Sequence, residues 1–438
     1  MQRQKLSTEK CHANKFFSLR KIVMPLAVVV ALSLPSTQML CAQTYSVLHS
    51  FTAGSDGAAP FSGVTIDGAD NLYGTTTGGG TGHGTVYELK LRNGNYTLNP
   101  LYLFPGGAGG SVPYSRVVFG PHGLLYGTTT GGGNGNGVVF DLQPHATACA
   151  SPLCSWMETV LFAFPANGRG GSEPAVGDPV FDAAGNMYDS TNHGGTDNDG
   201  VVFELTPGAG MWTETVLASF TGPNGQFPGH YADGGVILDS SGNLYGTTFN
   251  GGTSGEGVAY QLVKSSGFME MELHNFTAGA DGTNPDSGLV FDAAGNLYGT
   301  TSEGGSGGGG TIFELSPPGT WTTLTTIYSF SGSGGCANDT GPGPLESLTI
   351  DSAGNLYGTT CADGAHHRGN VFELSPVNGG WTYADIYDFT GGTDGANPIS
   401  NAICDSAGNL YGTTSQGGAH GYGVVWKISG VGCLPTQN

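Results

Sequence analysis

The sequence predicts an all-β fold: a seven-bladed β-propeller with four-stranded blades, closed by the N-terminal strand pairing with the C-terminal blade. Three observations predict it. Seven near-copies of Asn-Leu-Tyr-Gly-Thr-Thr run through the chain, with tyrosines at Tyr73, Tyr126, Tyr188, Tyr245, Tyr298, Tyr357 and Tyr411, spaced 53, 62, 57, 53, 59 and 54 residues apart. A period that steady marks one supersecondary unit repeated. Each copy holds four short strand-like runs with no helical period between them. The last copy stops after its third strand, and a fourth-strand-like run precedes the first copy, as closure of a ring requires.

The fifth copy justifies the elements in order. Gly288-Leu-Val-Phe291 is an apolar run suited to a buried strand, and Asp292-Ala-Ala-Gly295 is a tight turn. Asn296 to Thr301 forms the second strand, and Ser302 to Gly310 a glycine-rich loop. Thr311 to Leu315 forms the third strand. Pro317, Pro318 and Gly319 turn the chain into a long fourth strand, Trp321 to Phe330.

The ends of the chain fit together. Thr44-Tyr-Ser-Val-Leu-His-Ser-Phe51 reads like a fourth strand, as in Thr326-Ile-Tyr-Ser-Phe330, and the last copy stops after its third, Val424-Val-Trp-Lys-Ile428. In this topology the connections between blades and the loops between second and third strands share one face, the top. The other two hairpins lie at the bottom.

Residues 1–42 read as a secretory signal. A basic segment with Arg3, Lys5, Lys10, Lys15, Arg20 and Lys21 precedes the apolar run Ile22 to Leu34, which is short for a membrane span. Residues 43–438 then form one domain of seven repeats of about 56 residues, exported, monomeric and free of the membrane after cleavage. That mature part keeps 7 basic and 33 acidic residues, a formal charge of −26. Such a surface repels phosphate backbones, so nucleic-acid binding is excluded. The 79 glycines cluster between strand-like runs, where loops need them.

Six cysteines remain, an even count that suggests disulfides in an exported chain. Fifteen connectivities are open from the count alone. Blade topology favours three local pairs: Cys149–Cys154, Cys336–Cys361 and Cys404–Cys433.

The phrases Asn296-Leu-Tyr-Gly-Thr-Thr301 and Asp405-Ser-Ala-Gly-Asn-Leu-Tyr-Gly-Thr-Thr-Ser-Gln-Gly-Gly418 resemble the GloVer tandem repeat of exported bacterial proteins. The resemblance covers nearly the whole mature chain. It implies propeller-type repeats and no established activity. Some members end in a surface-sorting anchor, whereas Gly430 to Asn438 here is a short polar tail.

What recurs seven times should build the scaffold, so the repeated Tyr, Thr-Thr and Val-Phe residues read as core. Trp156, Trp212, Trp321 and Trp381 read as covers on blade edges. Asp56, Asp281 and Asp394, each before glycine, read as turn residues rather than calcium ligands. Asp197 and Asp199 are the better calcium candidates.

Chemistry is sought where the copies differ. Blade six carries Cys361-Ala-Asp-Gly-Ala-His-His-Arg-Gly369 in its second-to-third-strand loop, blade seven His420 and Tyr422, and blade one His83. These blades are consecutive in a closed ring. His83, Asp363, His366, His367, Arg368, His420 and Tyr422 are therefore the candidate ligand-binding residues, able to hold an anionic or hydroxylated ligand or to supply a general base.

No nucleophile elbow, phosphate loop, HExxH or triad signature occurs, so no cofactor is expected. The expected function is a non-enzymatic binding or scaffold module outside the cytoplasm, with a saccharide or peptide ligand on the top face. The alternatives are a polysaccharide lyase or hydrolase using that face, or a purely structural surface or matrix component.

Overall fold

Seven antiparallel four-stranded sheets stand around an axis, each running from a short inner strand to a long outer one. The computed structural model describes residues 43–144, 156–174, 177–222, 227–316, 323–331 and 344–436. The leader read at residues 1–42, together with Cys149, Cys154, Cys336 and Trp321, lies outside them. The described residues belong to one unit, Cys41–Asn438. Blade five shows the plan: Val290–Phe291, Leu297–Thr301, Thr311–Ser316 and Thr323–Ser329. Blade three adds a strand, Gly171–Pro174, against its lengthened second strand Met187–Gly194. Apart from three single turns of 3-10 helix, the described residues hold no helix, and none is long and apolar enough to cross a membrane.

The ring closes as the sequence predicts. Thr44–Ser50 pairs antiparallel with Val424–Ser429, and it carries the bulge, between Val47 and His49, that every other third-to-outer strand pair also has. An extra residue at one place in every blade bends and twists the outer strand in the same way.

The repeated phrase has a packing reason at each position. The glycine of Tyr-Gly-Thr-Thr lies opposite the third strand's aromatic residue, as Gly412 opposes Trp426. A Cβ on Gly412 would stand 2.4 Å from the indole. The tyrosine is buried and reaches back to the turn before it. In blade five, Asp292 accepts from the Ala294 and Asn296 backbone N–H groups through Oδ1, and from the Asn296 amide and the Tyr298 hydroxyl through Oδ2. Blade two has Gly120 in place of this aspartate, and Tyr126 donates to the Pro121 carbonyl instead.

Blades are joined by a second repeated device. Phe51, Phe104, Phe164, Phe220, Phe276, Phe330 and Phe389 end the seven outer strands, all fully or almost fully buried. Each ring meets the third-strand aromatic of the next blade, with centroids 5.2 to 6.2 Å apart. Phe51 meets Tyr87 of blade one, so the closing strand makes the same contact as the rest.

Cys404, ending the inner strand of blade seven, is bonded to Cys433, with Cα atoms 5.6 Å apart. Cys361 is also disulfide-bonded, to a partner outside the described residues. Trp156, Trp212 and Trp381 pack half-buried on the blade interfaces.

Two outcomes follow for stability. Phe220→Ala empties one inter-blade contact and should cost about 3–5 kcal/mol, read as a lower denaturant midpoint. Cys404→Ser should cost about 2–4 kcal/mol without changing the far-UV circular dichroism.

Candidate functional site

The top face is built by two loops per blade. Among the described residues the chain enters six inner strands through a left-handed residue, such as Ala59, Val112, Tyr231, Asn284 and Asn397, with φ between 52° and 57°. That residue's N–H is held by the previous blade's second-to-third-strand loop: Tyr422, His83, Asp199, Glu256 and Arg368 supply the carbonyls. The glycine after each of these accepting residues is also left-handed. A Cβ on Gly137 (φ 94°) would lie 2.1 Å from the Thr129 oxygen.

Three candidates, His83, Arg368 and Tyr422, thus serve the scaffold through their backbone. His83, His366, His367, Arg368, His420 and Tyr422 present exposed side chains on neighbouring loops, and Asp363 is half-buried. No hydrogen bond joins these side chains to one another. Arg368 lies along Gly391, and His83 covers Gly106. Asp56, Asp281 and Asp394 are turn residues, each accepting from the backbone N–H and hydroxyl of the threonine four residues earlier. Asp199 pairs with His230 at 3.3 Å, and no three possible metal ligands gather among the described residues.

The denser constellation lies on the axis, where sequence reasoning did not look. In five blades the left-handed residue is followed by a proline or an alanine, and then by Phe61, Tyr114, Asp233, Asp286 or Ile399; in blade six Leu345 follows Pro344 at the same place in the repeat. The Phe61 and Tyr114 rings tilt together, centroids 5.2 Å apart. Leu345 and Ile399 pack on Cys361 and Ala362. Asp233 and Asp286 share a hydrogen bond. They meet because the inner strands of blades four and five touch: a Cβ on Gly234 would lie 2.5 Å from the Ser287 carbonyl.

The next position is a structural serine in four blades, such as Ser62 bonded to Thr75 at 2.8 Å and Ser115 to Thr128 at 2.8 Å. Blade six has Glu346 there. One step further, Arg116 donates through Nε to Asp178 at 2.9 Å, joining blades two and three. Below this rim the inner strands enclose a cavity of about 360 Å³, walled by Val118, Val180, Ile237, Val290 and Ile350, with Thr436 among its lining residues. The tail that brings Thr436 there follows the Cys404–Cys433 bond, and its Leu434 carbonyl accepts from Ser352 at 2.9 Å.

The axial carboxyls hold their protons above the ordinary carboxylate range. Burial raises Asp286, and the neighbouring Asp233 charge raises it further. Burial also raises Asp233, opposed by a hydrogen bond from the Asn192 amide and by the nearby His193. Glu346 rises through burial and the charges of Asp178 and Asp286, against Arg116. Asp189 of blade three, fully buried where six copies have glycine, rises through burial. Two signals in the sequence mark these residues: the phrase Asn186-Met-Tyr-Asp-Ser-Thr191 departs from its six relatives, and acids replace apolar or serine residues after the inter-blade proline or its equivalent.

The family model of the Gloeobacter/Verrucomicrobia repeat matches residues 37–159, 154–343 and 335–434. The chain belongs to that repeat family. No curated protein matches it in sequence. Among solved structures it is similar to an ancestral GH74 enzyme, at 13% identity and a TM-score of 0.56, over 87% of this chain and 49% of that one. It is also similar to a PL25 ulvan lyase bound to a GlcA(1-4)Rha3S unit, at 9% identity and a TM-score of 0.50, over 88% and 95%. At such identities the likeness is one of fold.

Two sets of carboxyls pull stability in opposite directions with pH. Burial raises Glu158 to about 7, against a hydrogen bond from Tyr102, and burial raises Glu270 to about 8, helped by the Glu272 charge. Such groups bind protons more tightly in the fold, so they add stability as pH falls from 8 toward 4. Asp67, Asp182 and Asp239 are held low: burial would raise them, but the Asn side-chain and backbone bonds of the turn outweigh it. Their contribution is present above the unfolded value and lost as pH falls through the folded one. Denaturation midpoints should therefore rise from pH 8 to about 5 and fall below about 4.

Proposed function

We propose that this protein binds a saccharide chain at the top mouth of its axial channel, as an exported binding module. One observation carries the reading. A single repeat position is split between an apolar arc, with Phe61 and Tyr114 side by side, and an acidic arc formed by Asp233 and Asp286. A sugar ring offers an apolar face to aromatic rings and hydroxyls to carboxyls, so such a mouth matches both of its surfaces. His366, Arg368, His420 and Tyr422, exposed on loops of blades six and seven, would be the contacts of a longer chain. Export is supported by the leader-like residues 1–42 and by the Cys404–Cys433 bond, at home in an oxidising compartment.

A second reading, hydrolysis at the same mouth, is favoured by the hydrogen-bonded Asp233–Asp286 pair. A protonated carboxyl beside a bound glycosidic oxygen is a general acid. The likeness to polysaccharide-acting propellers agrees with this only at the level of fold. A lyase acting on uronates is less well supported, because the guanidinium at the rim, Arg116, is already engaged by Asp178.

A glycan array followed by calorimetry tests the binding reading. Phe61→Ala/Tyr114→Ala should weaken the selected glycan by about tenfold or more. Binding kept in that variant but lost in His366→Ala/Arg368→Ala would move the site to the outer loops. Absence of any glycan binding would remove the reading. Release of reducing ends on incubation would establish the hydrolytic one.

A further inference from the structure

Blades six and seven differ from the others at the bottom of the ring. The last residue of the inner strand is Phe119 in blade two, 39% exposed, and its counterparts Ile66, Phe181, Leu238 and Phe291 are half-buried. In blades six and seven the same position holds Ile350 and Cys404, only 7% and 6% exposed. The turn that follows shows the same split. Asp67, Asp182, Asp239 and Asp292 are half-buried, whereas Asp351 and Asp405 are buried. All six aspartates accept from the backbone N–H four residues on, so the turns themselves are alike. The extra cover must come from outside the repeat.

It comes from the segment after the last strand. Gly432 donates its N–H to the Gly408 carbonyl of the blade-seven turn at 2.9 Å. Cys433, fully buried, is bonded to Cys404. The chain then crosses to blade six, where the Leu434 carbonyl accepts from the Ser352 N–H at 2.9 Å and Pro435 bridges to Asp351. Thr436, the next residue, lines the axial cavity. Consecutive contacts thus lead from blade seven, past blade six, to the axis.

The upper end of the cavity is built differently. It continues into a much smaller cavity, and Arg116, Asp178, Ser347 and Asn401 line both. The way in from the mouth therefore passes between side chains, with Arg116 bonded to Asp178. Exposed side chains change rotamer within nanoseconds, whereas a disulfide rearranges over minutes to hours without a catalyst.

We infer that residues 431–436 are a plug, latched by the Cys404–Cys433 bond, that closes the bottom of the axial channel. The mouth is then the way into the cavity. A short segment with so few backbone bonds would fray in water, and the bond to Cys404 holds it across the opening. The inference is independent of the saccharide reading: it sets the direction from which any solute reaches the cavity, not the kind of solute.

The test reads entry into the cavity. Val290→Cys places a thiol on the cavity wall in blade five. Its modification by N-ethylmaleimide is followed by mass spectrometry, with the same chain lacking Val290→Cys as background. Ending the chain after Gly432, with Cys404→Ser, should speed modification about tenfold or more, because a covered thiol reacts only as its cover opens. Ser352→Pro is the milder variant. It removes the N–H that Leu434 accepts, at the second position of a turn closed by Gly354 and Asp351, where proline is favoured. It should raise the rate about threefold or more. Rates within about twofold of the unaltered chain in both variants would overturn the plug. The Ser352→Pro chain decides the matter if the shortened one does not fold.

Discussion

The structure depends on the contact between each outer-strand phenylalanine and the aromatic ring of the next blade. A four-stranded blade has two apolar faces and cannot bury either alone. The phenylalanine solves this by leaving its own sheet at the top and entering the neighbour's core, as Phe276 enters against Phe313. Its N–H is bonded to the carbonyl of a left-handed glycine, Gly257 in this case, at 3.0 Å. The residue before that glycine, Glu256, offers its own carbonyl to Asn284 of the next blade. One short segment therefore fixes its own outer strand and its neighbour's entry. Glycine is demanded because any side chain would strike the threonine carbonyl behind it, 2.5 Å away at Gly257.

That division of labour explains where variation is tolerated. The second and third strands are held on both faces, so their sequences hardly change from blade to blade. The inner strand is only two residues long in most blades, and the residues just before it are held by backbone bonds and a proline. Their side chains pack only on local neighbours, as Leu345 and Ile399 do on Cys361 and Ala362, so one position can be Phe61, Tyr114, Asp233, Asp286, Leu345 or Ile399. A ring of interchangeable positions around an axis is a natural place for a ligand site on a repeat scaffold.

The fold was legible because each of its rules repeats seven times. The period gave the blades, the strand-like ends gave the closure, and blade topology singled out the Cys404–Cys433 pair. The axial site was not legible for a related reason. Asp233 and Asp286 are separated by 53 residues and come together only through the close approach of Gly234 and Ser287, a contact that periodicity does not encode. The exposed histidines and Arg368 stood out by type, yet their loops are placed by backbone bonds that any residue can make. Asp189 was legible in principle, since the other six copies have glycine at its position.

The acidic axis also bears on how the scaffold tolerates its own site. Carboxyls that keep their protons in an enclosed mouth weaken the fold as pH rises, because the unfolded chain would release those protons freely. The turn aspartates act in the opposite sense, and they are distributed over six blades, far from the axis. A ring of near-identical blades can carry such a local cost in blades three to six, because every interface repeats the same aromatic contact. Stability is thus distributed while charge is concentrated.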